Sequence, residues 1–245
     1  MGIINLDHIS SNPLLPEVKT AMIDAINADY HNPSSQHTAG EMAAERLDQA
    51  RTSVAALINC TSPKEIVFTS GGTESVNHAI KGTALANAKK GNHIITSNVE
   101  HNAVIRSLKR LKGQGFKVTS LDVDAHGRVD PAAVADAITD QTTLVSIMHS
   151  NNETGTIQPI EAIAGITRKH KILFHTDAVD SVGVVPMDVQ ELGVDLTCMQ
   201  KPGEREPDQD RLIFAKKNED VFDALASGQC QVAGGTSYVW SRADA

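Results

Sequence analysis

The feature that most constrains this chain is an alternation. Short apolar runs are separated by single helix-patterned segments along most of its length. The runs are Glu65 to Thr69, His93 to Thr96, Lys117 to Leu121, Thr143 to Met148 and Ile172 to His175, with two more near 194–199 and 211–215. Helical pattern covers about 16–29 and 40–58 and begins again at about Thr73. It recurs from about Ala103 to Leu111, near 131–138 and near 159–170. Strands separated by single helices imply right-handed crossovers and a mostly parallel sheet. The expected fold is therefore α/β. Such sheets bind ligands at the carboxyl ends of their strands, so the turns that follow the apolar runs should carry the chemistry.

Composition agrees with this reading and excludes others. A length of 245 residues suffices for one large α/β domain, or one domain plus an arm. Aromatics are only 3%, so the core must be mostly Ala, Val, Ile and Leu, which suits helices packed on a parallel sheet. The net charge is -8 and no basic face is evident, which argues against nucleic acid or an anionic membrane as partner. No apolar run approaches the length of a membrane span. The start, MGIINLDHIS, lacks the basic-then-apolar order of a signal peptide. Its Met-Gly opening is discounted as a lipidation cue, because the residues after it read as a structured arm. Cys60, Cys198 and Cys230 have no paired spacing, so neither a disulfide framework nor a zinc site is expected. The expected compartment is a reducing cytosol. There is no internal repeat and no low-complexity stretch.

Four strand ends hold residues with chemistry. The first run ends in Thr69-Ser70-Gly71-Gly72-Thr73-Glu74 and leads into a helix. Glycines let the backbone approach an anion, and a helix start supplies N–H groups and a favourable dipole. The turn reads equally as a phosphate cradle or a Gly-rich cap. The second run ends in Glu100-His101, and a lone His there is either structural or a stacking partner for a planar ring. The fourth ends in His149-Ser150-Asn151-Asn152-Glu153-Thr154-Gly155. Its Asn residues suit turn chemistry, or an amide that bonds a ligand oxygen. The fifth ends in His175-Thr176-Asp177-Ala178. A lone buried carboxylate is costly, so Asp177 needs a partner or caps a neighbouring helix. A pyridinium N–H would be such a partner, and Asp paired to the ring nitrogen is what makes pyridoxal 5'-phosphate (PLP) an electron sink. Together the four ends offer a phosphate cradle, a ring stacker, an oxygen partner and a ring-nitrogen partner at one end of one sheet.

The stretches FTSGGTESVNHAIKG, HIITSNVEHNAV, LVSIMHSNNETGTIQPI and FHTDAVDSVG resemble the cysteine desulfurases of the class V aminotransferase family. NPSSQHTAG at 32–40 and the helix reading ARTSVAALI fit as well, and the resemblance runs from about residue 4 to about 235. It implies the large domain of a fold type I PLP-dependent transferase, a homodimer in the cytoplasm, and PLP as cofactor. It also implies that sulfur is taken from L-cysteine or a related amino acid, leaving alanine, and passed to an iron–sulfur scaffold protein or another acceptor. By the same resemblance Gly72 and Thr73 hold the phosphate, and His101 stacks on the ring and takes part in proton transfer. Asn152 meets the ring hydroxyl and Asp177 the ring nitrogen. Residues 1–15 read as an N-terminal arm, 16–235 as the PLP-binding domain and 236–245 as a tail.

The resemblance breaks in two places. The family has Gln three residues after the Asp, where this chain has Asp180; a second carboxylate there would repel the ring oxygen. After Val194-Asp195-Leu196 the family carries Ser-x-His-Lys and then Gly-Pro-Lys-Gly, whereas this chain reads Thr197-Cys198-Met199-Gln200-Lys201-Pro202-Gly203-Glu204. Aligned without a gap, the phosphate-side Ser falls on Gln200, the His on Pro202 and the Schiff-base Lys on Gly203. The turn that follows becomes Glu206-Pro207-Asp208-Gln209. Asp180 and Gln200 thus join the cofactor-binding set by position, and Lys201 becomes a displaced candidate for the anchor. In extended chain Lys201 lies on the same face as Gly203, about 6.6 Å away. Pro202 restricts that backbone, and a solvated surface lysine is the favoured reading of Lys201.

The family's second domain, with its catalytic cysteine loop and substrate-carboxylate Arg, is expected to be largely absent. None of the three cysteines aligns with the catalytic one. Three readings therefore stand: a desulfurase, impaired as this chain alone; a degenerate relative holding PLP without a covalent bond, as scaffold or regulator; and a truncated partner-binding protein without cofactor.

Overall fold

The computed structural model describes residues 14–28 and 31–199, together with the strand Leu212–Lys216. Gln200, Lys201, the acidic stretch from Glu204 to Asp210, Cys230, the tail and most of the arm lie outside the described residues.

After α1 (Pro16–Ala28) and α2 (Thr38–Leu57), the chain alternates as its apolar pattern predicts. It runs through β1 (Ile66–Thr69), α3 (Gly72–Ala86), β2 (His93–Ser97), α4 (Asn102–Lys112), β3 (Lys117–Leu121) and α5 (Pro131–Ala137). It continues through β4 (Thr142–Ser146), α6 (Ile160–His170), β5 (Leu173–Ala178), α7 (Val189–Leu192), β6 (Leu196–Met199) and β7 (Leu212–Lys216). One sheet holds all seven strands in the order β1-β7-β6-β5-β4-β2-β3. From β6 to β3 every neighbouring pair is parallel, and β7 runs antiparallel to both β6 and β1. β1 therefore points the same way as the five parallel strands, and its carboxyl end lies at the same edge as theirs.

Side chains alternate between the two faces of a strand, and both faces here are covered. On one face Ile94, Leu144, Leu196 and Cys198 pack with Val76, Ala79 and Ile80 of α3 and Val104, Leu108 and Leu111 of α4. On the other, Ile95, Val145, Phe174 and Met199 pack with Ala55 of α2, Val134 of α5 and Ile160, Ile163 and Ala164 of α6. Burial on both sides explains why β2 and β4 are buried at every residue. β3, at the edge, is exposed at Lys117 and Ser120.

Three boundaries differ from the sequence expectation. β4 stops at Ser146, two residues before the apolar run does. The run continues because Ile147 and Met148 are still buried, and backbone bonds to β5 go on past the end of β4, Ile147 N–H donating to His175 O at 3.1 Å and His149 N–H to Asp177 O at 2.8 Å. β5 extends to Ala178, so Asp177 lies inside the strand rather than after it, paired with Cys198 of β6. α7 was not expected; Asp188 caps it by accepting the Gln190 and Glu191 N–H groups, and Gly193 ends it at a φ of 68°. That angle favours glycine.

Candidate cofactor site

Every candidate within the described residues sits at the carboxyl end of the sheet. Gly72 and Thr73 open α3 directly after β1. Gly71 has no side chain to cap that helix, and Glu74 reaches back instead, its Oε2 accepting the Ser70 N–H at 2.5 Å and the Ser70 hydroxyl at 2.6 Å. The first N–H groups of a helix have no intrahelical acceptor, so Gly72 and Thr73 present donors at the positive end of the α3 dipole. Thr73 is exposed there.

His101 is the N-cap of α4, and its Nδ1 accepts the Ala103 N–H at 3.2 Å. An Nδ1 used as acceptor leaves Nε2 to carry the ring proton. The ring is exposed rather than embedded in the core. Asn152 lies in the turn after β4, half-buried, with its amide donating to Glu153 Oε1. Its neighbour Asn151 organises that turn. Asn151 Oδ1 accepts the Glu153 and Thr154 N–H groups and the Thr154 hydroxyl, while its Nδ2 donates to Val99 O in the turn after β2.

Asp177 is 5% exposed, and the hydrogen bond shown at its carboxylate is the Val179 N–H on Oδ1 at 3.1 Å. Burial pushes its pKa up to about 6. The Val179 bond and the charge of His101 pull it down, and the charge of Asp180 pushes it up. The field thus joins β5 to the β2–α4 turn and to the segment after β5, bringing His101, Asp177 and Asp180 into one electrostatic group. Gly72, Thr73 and Asn152 share the same sheet edge, with no direct bond to that group among those described.

Two features escaped sequence reading. Glu100 is buried beneath His101, its Oε1 accepting the Ser97 hydroxyl at 2.6 Å and the Met148 N–H at 3.0 Å. An acid next to the candidate His, three residues after a short strand, was the signal available. Deeper, Ser146, His175 and Cys198 form a chain across β4, β5 and β6, with His175 Nδ1 2.9 Å from Ser146 Oγ and Nε2 3.3 Å from Cys198 Sγ. Burial holds His175 neutral, with its pKa lowered to about 3, and raises that of the Cys198 thiol. A buried thiol of that kind is a packing group rather than a nucleophile. Among the described residues no cluster of three or more His, Cys, Asp or Glu could hold a metal ion, and no helix is long and apolar enough to cross a membrane.

The donor set suits PLP. Helix N–H donors and a threonine match a phosphate, an imidazole and an amide flank a planar ring, and a buried carboxylate short of partners matches a pyridinium N–H. The fold and this edge define the class: an α/β protein of the PLP-dependent type, with its ligand crevice at the strand ends. The aminotransferase class-V family matches residues 4–200, and the chain belongs to that family. It is 48% identical to the cysteine desulfurase IscS of Dictyoglomus turgidum over 225 residues, covering 92% of this chain and 57% of that protein. It is 42% identical to the cysteine desulfurase IscS of Methanosarcina thermophila over 225 residues, covering 92% of this chain and 55% of the relative. Among solved structures, SspA in complex with cysteine superposes with a TM-score of 0.80 at 35% identity, covering 85% of this chain and 60% of that one. The chain thus spans less than two thirds of the length of these relatives.

Proposed function

We propose that this chain is the PLP-holding part of a cysteine desulfurase. In this reading residues 16–235 form the cofactor-binding domain, between an arm at 1–15 and a tail at 236–245. The observation that carries it is Asp177: a carboxylate buried inside β5, short of partners, at the ligand-binding edge of an α/β sheet. Burial that the Val179 bond and His101 offset only in part is expensive, so such a group is kept for a ligand that supplies a cationic partner.

PLP, when bound, supplies an electron sink that weakens bonds at the α-carbon of an attached amino acid. The chain's own residues do the holding. Gly72 and Thr73 donate to the phosphate, and Asp177 accepts the ring N–H and keeps the ring protonated. Asn152 bonds the ring oxygen. His101 covers the ring and moves a proton through Nε2, because Nδ1 is committed to Ala103. By alignment with the family Asp180 and Gln200 take positions of the cofactor-binding set. Lys201 is the candidate anchor. L-cysteine is the substrate this reading favours, and cysteine is the ligand in the SspA complex. In this reading the whole desulfurase works in the cytoplasm as a homodimer and hands sulfur to an iron–sulfur scaffold protein, while this chain alone, with no cysteine matching the sulfur-accepting one, is impaired in that transfer. Its relatives favour this reading over a non-catalytic one.

The test is PLP titration followed by borohydride reduction and mass spectrometry of the peptides. A saturable spectrum with the label on Lys201 supports a relocated anchor and a working enzyme. Saturable binding without label supports a cradle that holds PLP noncovalently. No binding by the wild-type chain sinks the cofactor reading.

A further inference from the structure

The β2–α4 turn carries His101 and the β4 turn carries Asn152, yet the two residues share no bond among those described. What joins the turns lies beneath them. Glu100 Oε1 accepts the Met148 N–H at 3.0 Å and the Ser97 hydroxyl at 2.6 Å, and Asn151 Nδ2 donates to Val99 O at 3.0 Å. Glu100 Oε2 is buried and has no partner among the described residues.

An ionised oxygen in that place would be an uncompensated buried charge, which is far costlier than a buried hydroxyl. The titratable groups around Glu100 offer no relief. On its own turn is His101; beyond the end of β4 is His149, whose pKa burial lowers. From β5 comes Asp177, with Asp180 beyond it and the buried Cys198 thiol beside it on β6. The charge bearing on Glu100 is the negative one of Asp177.

We propose that Glu100 is a positioning residue: as a neutral acid it clasps the His101 turn to the Asn152 turn and leaves Asp177 as the site's carboxylate. The proposal rests on the reading that this sheet edge holds PLP. Two neighbouring carboxyls in different surroundings divide the protonation states between them. Burial raises Asp177 to about 6 and Glu100 to about 8, so across neutral pH Asp177 is ionised and Glu100 keeps its proton. Ionising Glu100 sets a second negative charge against that of Asp177 and leaves it unpaired at the buried Oε2.

The experiment has a cofactor-free arm and a cofactor arm, both on the whole chain. In the first, carboxyl-labelled glutamate is followed by carbon NMR, with Glu100 assigned through Glu100→Gln. The expected resonance is that of a protonated acid at pH 7, moving to the ionised position as pH passes about 8. An ionised signal at pH 7 overturns the proposal. In the second, PLP affinity is read by absorbance. Glu100→Gln, which still accepts from Ser97 and Met148, should bind within about twofold of wild type and lose the fall in affinity above pH 8. Glu100→Ala should bind about tenfold more weakly. A Gln variant as weak as the Ala variant, with wild-type binding intact and both folded by thermal melting, overturns the neutral clasp. A wild type that binds no PLP at any pH instead overturns the cofactor reading, and the NMR arm separates the two failures.

Discussion

On the proposed reading Asp177 accepts the ring N–H, and its ionisation sets when it can do so. Its pKa is raised to about 6, so a rising fraction is protonated below that pH and has no charge to offer. PLP affinity of the wild-type chain should therefore fall as pH drops through about 6. Asp177→Asn should bind PLP about ten- to a hundredfold more weakly at pH 8, since a charge-assisted hydrogen bond is lost, and should lose that acid limb. Absorbance titrations from pH 5 to 8 read both, and an unchanged affinity in Asp177→Asn removes the residue from the cofactor's contacts. Thr73, His101, Asn152 and Asp177 were legible in the sequence because each follows an apolar run, and strand direction alone brings them to one edge. Glu100, Asn151 and His175 were not, because their roles lie in partners distant in sequence: Met148 for Glu100, Val99 for Asn151, Cys198 for His175.

At the scale of elements, the turn after β4 stands on one side chain. Asn151 takes the Glu153 and Thr154 N–H groups on one oxygen and ties the turn to Val99 with its amide. Gly155 closes the turn at a φ of 72°, its N–H reaching Asn151 O at 2.8 Å. Asn151→Ala leaves backbone groups without partners and should cost about 1–3 kcal/mol in urea unfolding. The Glu153 and Thr154 amides should exchange markedly faster with solvent by NMR, while those of β4 keep their protection; unchanged rates at both amides would show that the turn holds without Asn151. The strands and helices themselves were readable because period and burial agree: Ile94 and Ile95 go to opposite faces, and both faces need apolar residues. Strand direction is a different matter. Nothing in the apolar run at 211–215 says that β7 enters antiparallel between β1 and β6, because a ladder of either sense buries the same residues. Likewise the run through Met148 hides the end of β4, since burial and backbone bonds to β5 both continue past Ser146.

For the whole molecule, buried ionisable groups should shape stability against pH from both sides. Burial lowers the pKa values of His175, His78, His93 and His149. A depressed folded value means stability that is fully present above the unfolded pKa of about 6.5 and is lost as pH falls. For His175 the loss continues down to about 3. Glu100 and Asp177 act in the opposite sense, because their folded values are raised, from 4.5 to about 8 and from 3.8 to about 6. Their contribution is fully present below the unfolded values and is lost as pH rises through the folded ones. Above pH 6.5 the histidines have given all they can, and Glu100 goes on costing stability until about pH 8. The thermal midpoint should therefore peak near pH 6 to 7 and decline on both sides. Glu100→Gln removes the alkaline decline and makes the acid limb steeper, because Glu100 already loses stability from its unfolded value of 4.5 upward. At pH 9 it should melt several degrees above wild type, at about 2–4 °C per kcal/mol for a chain of this size. At pH 6 the two should differ much less. Calorimetry of both proteins from pH 5 to 9 decides this, and parallel curves would mean that Glu100 is already ionised in the folded protein at neutral pH.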